Sequence, residues 1–299
     1  MEDISKKVVD HFRDESMAKE VQNFLKDNGI NSWIELREDS YFVLALEEDI
    51  PRIIELQRPK NTISKEWMAI RSLPYGKYNL IFSILCAIVF IIYLADPNSF
   101  ILDKLFITRR VGFLEEFFLG QYWRIISPIF IHFGFMHFFF NMMWMKDLGK
   151  IIENHHGPKI YITLIVVLAA ISNLGQYLTI GPNFGGVSGV LFGLLGFLWI
   201  CKVYEPDKNL FIPKHDFILM VIWFLVCFSG VGFFKHIANM AHALGLVSGI
   251  IFAIFYNKIW EKDFKKGLMY FLGALVITIL STIIEYYKMN QNFYFKIFL

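Results

Sequence analysis

Apolar residues are spread unevenly along the 299-residue chain, recurring in short amphipathic stretches up to about residue 57 and then running in long blocks. The early pattern predicts a small α+β unit. A helix covers VVDHFRDESMAKEVQNFLKDNG and ends at Gly29; two short strands, NSWIELR and YFVLALE, turn at Glu38 to Ser40; a further helix runs from about Glu48 to Gln57. The stretch QRPKNTISKEWMAIRSLPYGK, with two prolines and five basic residues, predicts a linker that meets a membrane surface. Beyond it lie seven apolar segments of about the length that crosses a bilayer, roughly 20 residues with allowance for shorter ones. They cover 78–95, 125–146, 159–179, 187–203, 216–234, 239–257 and 267–287, the fourth and sixth being short and rich in glycine.

Composition agrees with the pattern: 56% of residues are hydrophobic and only 19% charged, beyond the roughly 45–50% apolar content of soluble domains, so the protein is read as a membrane protein. A net charge of +2 excludes nothing and points to no nucleic acid. Cys86, Cys201 and Cys227 all fall in apolar segments and read as small hydrophobes, without a disulfide framework or a CxxC metal site. The polar first 75 or so residues predict no signal peptide and a cytosolic amino terminus. Lysines then fall mainly after segments two, four and six, which places the amino terminus inside and the carboxyl terminus outside. The long loop over 96–124 mixes Phe, Leu and Trp with scattered charges and reads as a segment lying in the interface.

Inside the membrane, carboxylates occur only at segment ends, as Asp147, Asp216 and Glu285, so the ionisable candidates are histidines. HFGFMHFFFNMMW puts His132, His137 and Asn141 in the first turns of segment two; GVSG, from Gly186, puts Ser188 at the start of segment four; ANMAHALGLVSG puts His242 near the start of segment six. These three segments run in the same direction, so their polar residues share a depth. The small-residue runs Gly189, Gly193, Gly196 and Ala241, Gly245, Gly249 allow segments four and six to approach closely enough for Ser188 to hydrogen-bond His242. A serine hydroxyl needs a base to become a nucleophile, and a neutral imidazole suits that task, so the pair reads as a catalytic dyad. His137 and Asn141, at i and i+4, with the Ser188 backbone N–H, would form an oxyanion hole. With no carboxylate to complete a triad, the imidazole is expected to be oriented by packing and other hydrogen bonds.

HxxxxHxxxN on segment two, GVSG opening segment four and AHxxGxxxG on segment six resemble the rhomboid intramembrane serine proteases, of the bacterial type with a cytosolic amino-terminal module. The resemblance covers roughly residues 78–258. It implies an all-α polytopic membrane protein with a six-helix rhomboid core and a preceding α+β cytosolic domain; the seventh carboxyl-terminal transmembrane helix read from the apolar pattern is a departure from that core. The expected division is 1–60 for that domain, 61–77 for the linker, 78–258 for the core, and 259–299 for a cytosolic loop, the seventh helix and an outer tail. It further implies Ser188 as nucleophile, His242 as base, His137 and Asn141 as oxyanion donors, and no cofactor or metal. Trp123 and Arg124 resemble a WR pair of the first outer loop, and Glu153 a carboxylate that helps hold segments two and three. Segment five, with Trp223 and Phe224, would be the lateral gate for a substrate helix. Phe192 and Gly186 would support the site from behind, and His132 would either do the same or be an interfacial side chain. Phe192 stands where the family often has a tyrosine stacked on the catalytic histidine, keeping the ring and losing the hydroxyl. The partners implied are single-pass transmembrane substrates in the lipid bilayer, and the place is the cell inner membrane with the site facing outward.

Other intramembrane chemistries lack their residues: no HExxH for a zinc protease, no pair of mid-membrane aspartates for an aspartyl protease, and no repeat or midplane ion site for a coupled transporter. The alternative class is a proteolytically silent rhomboid-like protein that binds transmembrane helices.

Overall fold

A computed structural model describes residues 6–57, 68–109, 113–204, 213–228 and 238–297, and divides into two compact units, Met1–Lys65 and Glu66–Leu299.

In the first unit, β1 (Lys6–Phe12), β2 (Ser32–Arg37) and β3 (Ser40–Leu46) form an antiparallel sheet of order β1-β3-β2. Helices α1 (Glu15–Asp27) and α2 (Ile50–Gln57) complete it, and Ala18, Leu25, Ile30, Val43, Ala45 and Ile53 make its core. Glu38 and Asp39, with φ of 42° and 61°, turn the β2–β3 hairpin in the left-handed backbone that two-residue loops require. The long first helix expected from the sequence is corrected, because its opening residues are β1. Val9 and Phe12 pack on the core of the sheet, and Asp14 ends the strand by accepting the Ser16 N–H at 2.8 Å as the cap of α1.

The second unit is helical. It contains α3 (Lys77–Ala95), the short α4 (Phe100–Leu105) and α5 (Glu115–Phe118), then α6 (Phe135–Ile180), α7 (Ser188–Tyr204), α8 (Lys214–Phe228), α9 (Asn239–Tyr256), α10 (Ile259–Lys262) and α11 (Phe264–Ile297). Helices α3, α6, α9 and α11 are long and apolar enough to cross a membrane, and α7 is a shorter apolar helix. The expected second segment over 125–146 is corrected: residues 122–130 are two 3-10 turns, Tyr122–Ile125 and Ser127–Phe130, and the helix begins only at Phe135. Pro128 lacks the N–H a helix interior needs, and Gly134 takes φ 94°. Segments two and three are one element broken at Gly157 (φ 82°, ψ 166°) ahead of Pro158, which makes two arms of α6. The arms fold back on each other, since the Tyr161 hydroxyl reaches Met145 Sδ at 3.7 Å. The end of the fifth expected segment, 229–234, and part of the linker, 61–67, lie outside the described residues.

Helix α3 is fixed to α6 by polar contacts at one end. Glu153 accepts the N–H groups of Tyr78 (3.0 Å) and Asn79 (2.8 Å), satisfying donors that the first turn of a helix leaves open. Buried Asn79 donates to the Lys146 carbonyl and accepts from Tyr161, so it touches both arms. Glu153 thus ties the first segment to the second, a contact beyond the one the family resemblance implied. Before α6, buried Arg124 donates to the carbonyls of Asp103 (2.8 Å) and Phe106 (2.7 Å) and to Gln121 Oε1 (2.8 Å), which holds the loop around it closed. Trp123, half exposed, donates its indole N–H to the Lys104 carbonyl.

The closest packing is between α7 and α9. A side chain added at Gly245 or Gly249 would overlap the backbone of Gly189 or Gly193, and one at Gly196 would lie 2.6 Å from the Leu246 carbonyl. Only glycine permits this approach. Gly249→Val is therefore expected to force the helices apart and lower the midpoint of thermal unfolding in detergent by an amount reflecting about 3 kcal/mol or more of overpacking. Gly273→Val, where a side chain meets nothing within 4 Å, should leave it unchanged.

Buried Glu116 in the loop accepts from the Thr108 hydroxyl and from the Arg109 N–H at 2.8 Å. Burial alone raises this carboxyl, but those donors, its own backbone N–H and the Arg124 charge outweigh burial and hold it down at about 2. With the folded value below the ordinary 4.5, the contribution is complete above about pH 4.5 and lost as pH falls toward 2. Thermal unfolding of Glu116→Gln is expected to depend less on pH across that window than wild type.

Candidate active site

Ser188 is the first residue of α7, and His242 lies in the first turn of α9. The glycine contact brings these two helix beginnings together, and Ser188 Oγ lies 2.7 Å from His242 Nε2. For the hydroxyl to donate, Nε2 must carry the lone pair, which leaves the proton of the neutral ring on Nδ1. Phe192, one turn along α7, lies against the imidazole at 4.8 Å between ring centroids, and Phe224 of α8 meets Phe192 edge-on at 5.3 Å. Trp223 turns to the other side and lies 6.0 Å from Phe140. The second arm of α6 holds the start of α9: buried Gln176 accepts the Ala241 N–H through Oε1 at 3.1 Å.

His137 approaches from the first arm of α6. Its Nδ1 accepts the Phe133 N–H at 3.2 Å, so the neutral ring carries its proton on Nε2. That nitrogen faces Gly186: a side chain there would lie 2.6 Å from it. Gly186 also has φ 114°, and its N–H donates to the Pro128 carbonyl at 3.0 Å. Both the backbone and the space therefore exclude a side chain two residues before Ser188. Asn141 is buried and donates to the His137 carbonyl at 2.7 Å.

His132 is not in the first turn of a helix, as the sequence suggested, but in the extended stretch before α6. It is wholly buried, which removes the reading of an interfacial side chain; its Nδ1 faces the Phe130 carbonyl at 3.1 Å and its ring lies 5.1 Å from that of His137. His156 packs against Phe197 (5.0 Å) and Tyr256, whose hydroxyl lies 3.1 Å from Nδ1. Among the described residues no three His, Cys, Asp or Glu side chains converge as a metal site would need.

Two polar contacts at this end were missed. Gln176 belongs to a buried stripe with Ser172 and Asn173, a signal visible as polar residues at helical spacing inside an apolar segment. Glu285, read as lying at a segment end, is instead buried within α11, which continues to Ile297, and accepts from Asn239 Nδ2 at 2.9 Å.

Residues 119–259 match the family model for the Rhomboid domain. That stretch is similar to rhomboid domains. It is similar to the Rhomboid protease GlpG of Yersinia pestis (strain Pestoides F), 36% identical over 137 residues that cover 44% of this chain and 48% of the relative. It is also similar to the Rhomboid protease GlpG of Photorhabdus laumondii, 33% identical over 138 residues covering 46% and 49%. The chain spans about half the length of the curated relatives it matches. The matched stretch contains every residue just described around Ser188 except Glu285, which lies beyond its limit.

Gly186→Ala is expected to strain the backbone and displace His137, costing about 1–3 kcal/mol in thermal unfolding of the second unit.

Proposed function

We propose that this rhomboid domain is a serine endopeptidase that hydrolyses transmembrane proteins within the bilayer of the cell inner membrane. The observation that carries the reading is the 2.7 Å contact between Ser188 Oγ and His242 Nε2, in a domain whose curated relatives are named proteases. In this reading His242 takes the hydroxyl proton as Oγ attacks the scissile carbonyl, then gives it to the departing amine. Water hydrolyses the resulting ester by the same exchange in reverse. In the same reading the developing oxyanion would be met by the Ser188 N–H, which no helical carbonyl precedes, the proton on His137 Nε2 and an amide proton of Asn141.

Substrates are single-pass transmembrane proteins cut near the outer face, with the amino terminus of the enzyme cytosolic as the lysine placement indicates. The scissile stretch must leave its helix first, because a helical backbone keeps its carbonyls hydrogen-bonded. Glycine or proline near the outer boundary favours that step. Entry past α8 is supported by its aromatic residues, Phe224 against the Phe192 ring that covers His242 and Trp223 against Phe140.

A fluorophosphonate probe should label the detergent-solubilised wild type, with labelling reduced by about 10³-fold or more in Ser188→Ala and His242→Ala. The wild type should cleave a transmembrane substrate in liposomes and lose rate when its helix-breaking residues become leucine. A folded wild type that neither labels nor cleaves is a silent helix-binding protein.

A further inference from the structure

The seventh helix presents a narrow stripe to the rest of the bundle. Gly267, Ala274, Ser281 and Glu285 are buried along α11, while most of its other residues are exposed. Three small residues seven apart bring α11 close to its neighbour, and the fourth position, at the end where α9 begins, is a carboxyl group. A carboxyl placed there is costly without partners. Glu285 Oε1 accepts from Asn239 Nδ2 of α9 at 2.9 Å, with both side chains buried.

Asn239 is one turn before His242, so the two side chains share a face of α9. Because Nδ2 is directed at Glu285, Oδ1 points away from it. Asn239 Oδ1 and His242 Nδ1 are both buried and have no hydrogen-bond partner among the described residues. One is an acceptor and the other, in the tautomer that leaves Nε2 to Ser188, a donor; a single water bridging them satisfies both.

Resting on the protease reading, we propose that Glu285 of the seventh helix is a positioning residue for the reaction: it fixes the amide of Asn239, whose Oδ1 accepts a hydrogen bond from the Nδ1–H of His242 through one water and so holds the imidazole with Nε2 toward Ser188. The dyad is thereby extended into a chain of four groups, Ser188, His242, Asn239 and Glu285, drawn from three helices. Glu285 touches no reacting atom and acts only through Asn239. The seventh helix is then part of the catalytic apparatus rather than an appended anchor.

The test uses the full chain in detergent and in liposomes, with Glu285→Leu, Glu285→Gln, Asn239→Leu and the double variant Asn239→Leu/Glu285→Leu. Each is followed by the rate of fluorophosphonate labelling, by kcat and KM on a transmembrane substrate, and by thermal unfolding. Glu285→Leu should lower kcat and the labelling rate about tenfold with KM within about twofold, the factor that one charge-assisted hydrogen bond represents. Glu285→Gln, which keeps an acceptor for Asn239, should recover most of that loss. The double variant should be no slower than Asn239→Leu alone, because both act through one contact. Unchanged labelling by Glu285→Leu, losses that multiply in the double variant, or a fall in rate that tracks lower thermal stability in all four would overturn the positioning role while leaving the protease reading intact. Absence of labelling in the wild type would remove the protease reading, and this one with it.

Discussion

The site exists because two helices touch backbone to backbone. Gly189, Gly193 and Gly196 on α7 face Gly245 and Gly249 on α9 with no side chain between them. In a bilayer, lipid tails compete for apolar contact as well as protein does, so helix association relies on closeness itself. Removing every intervening methyl brings the helix axes near enough that short side chains at their shared ends, a serine and a histidine, meet at hydrogen-bond distance. Larger residues at any of these positions would leave the same serine and histidine on the same helices, too far apart to share a proton.

Around that contact the remaining parts act as braces. Gln176 holds the first turn of α9 from the second arm of α6. His137 and Gly186 interlock so that the turn before Ser188 is fixed from the first arm. Phe192 and Phe224 close the side toward α8. Farther away, Asn79 and Glu153 secure α3, and Arg124 closes the loop before α6 with hydrogen bonds to two backbone carbonyls. Each of these satisfies polar groups that would otherwise be stranded in an apolar setting, which is why buried polar residues in this unit mark its joints.

Much of this was legible in the sequence because membrane helices announce themselves by length and apolar content, and because glycine at fourfold spacing has few other uses. Ser188, His242, His137 and Asn141 stood out as polar residues in such segments. The start of segment two was not legible, since Ile125 to Phe133 is as apolar as a helix and only Pro128 and Gly134 betray the turns. The first strand was lost for a related reason: KKVVDHF has no strict alternation, and a bulge between Val8 and Asp10 shifts its register. Glu285 was set aside because hydropathy ends the seventh segment near Tyr287, whereas the helix itself runs on to Ile297 and the carboxyl finds its partner on another helix. No one-dimensional pattern reports a contact between residues 46 positions apart.

The shortness of α7 has a consequence for depth. Its 17 residues span about 26 Å at roughly 1.5 Å each, against a hydrocarbon layer about 30 Å thick. A helix that begins with the serine and cannot reach both surfaces lets the hydroxyl sit beneath the lipid boundary without any residue above it in the same rod. The chain from Gly181 to Val187 reaches the start of α7 as a loop, so the first residue of α7 acts as a gauge whose setting would move with each residue added to or taken from its start.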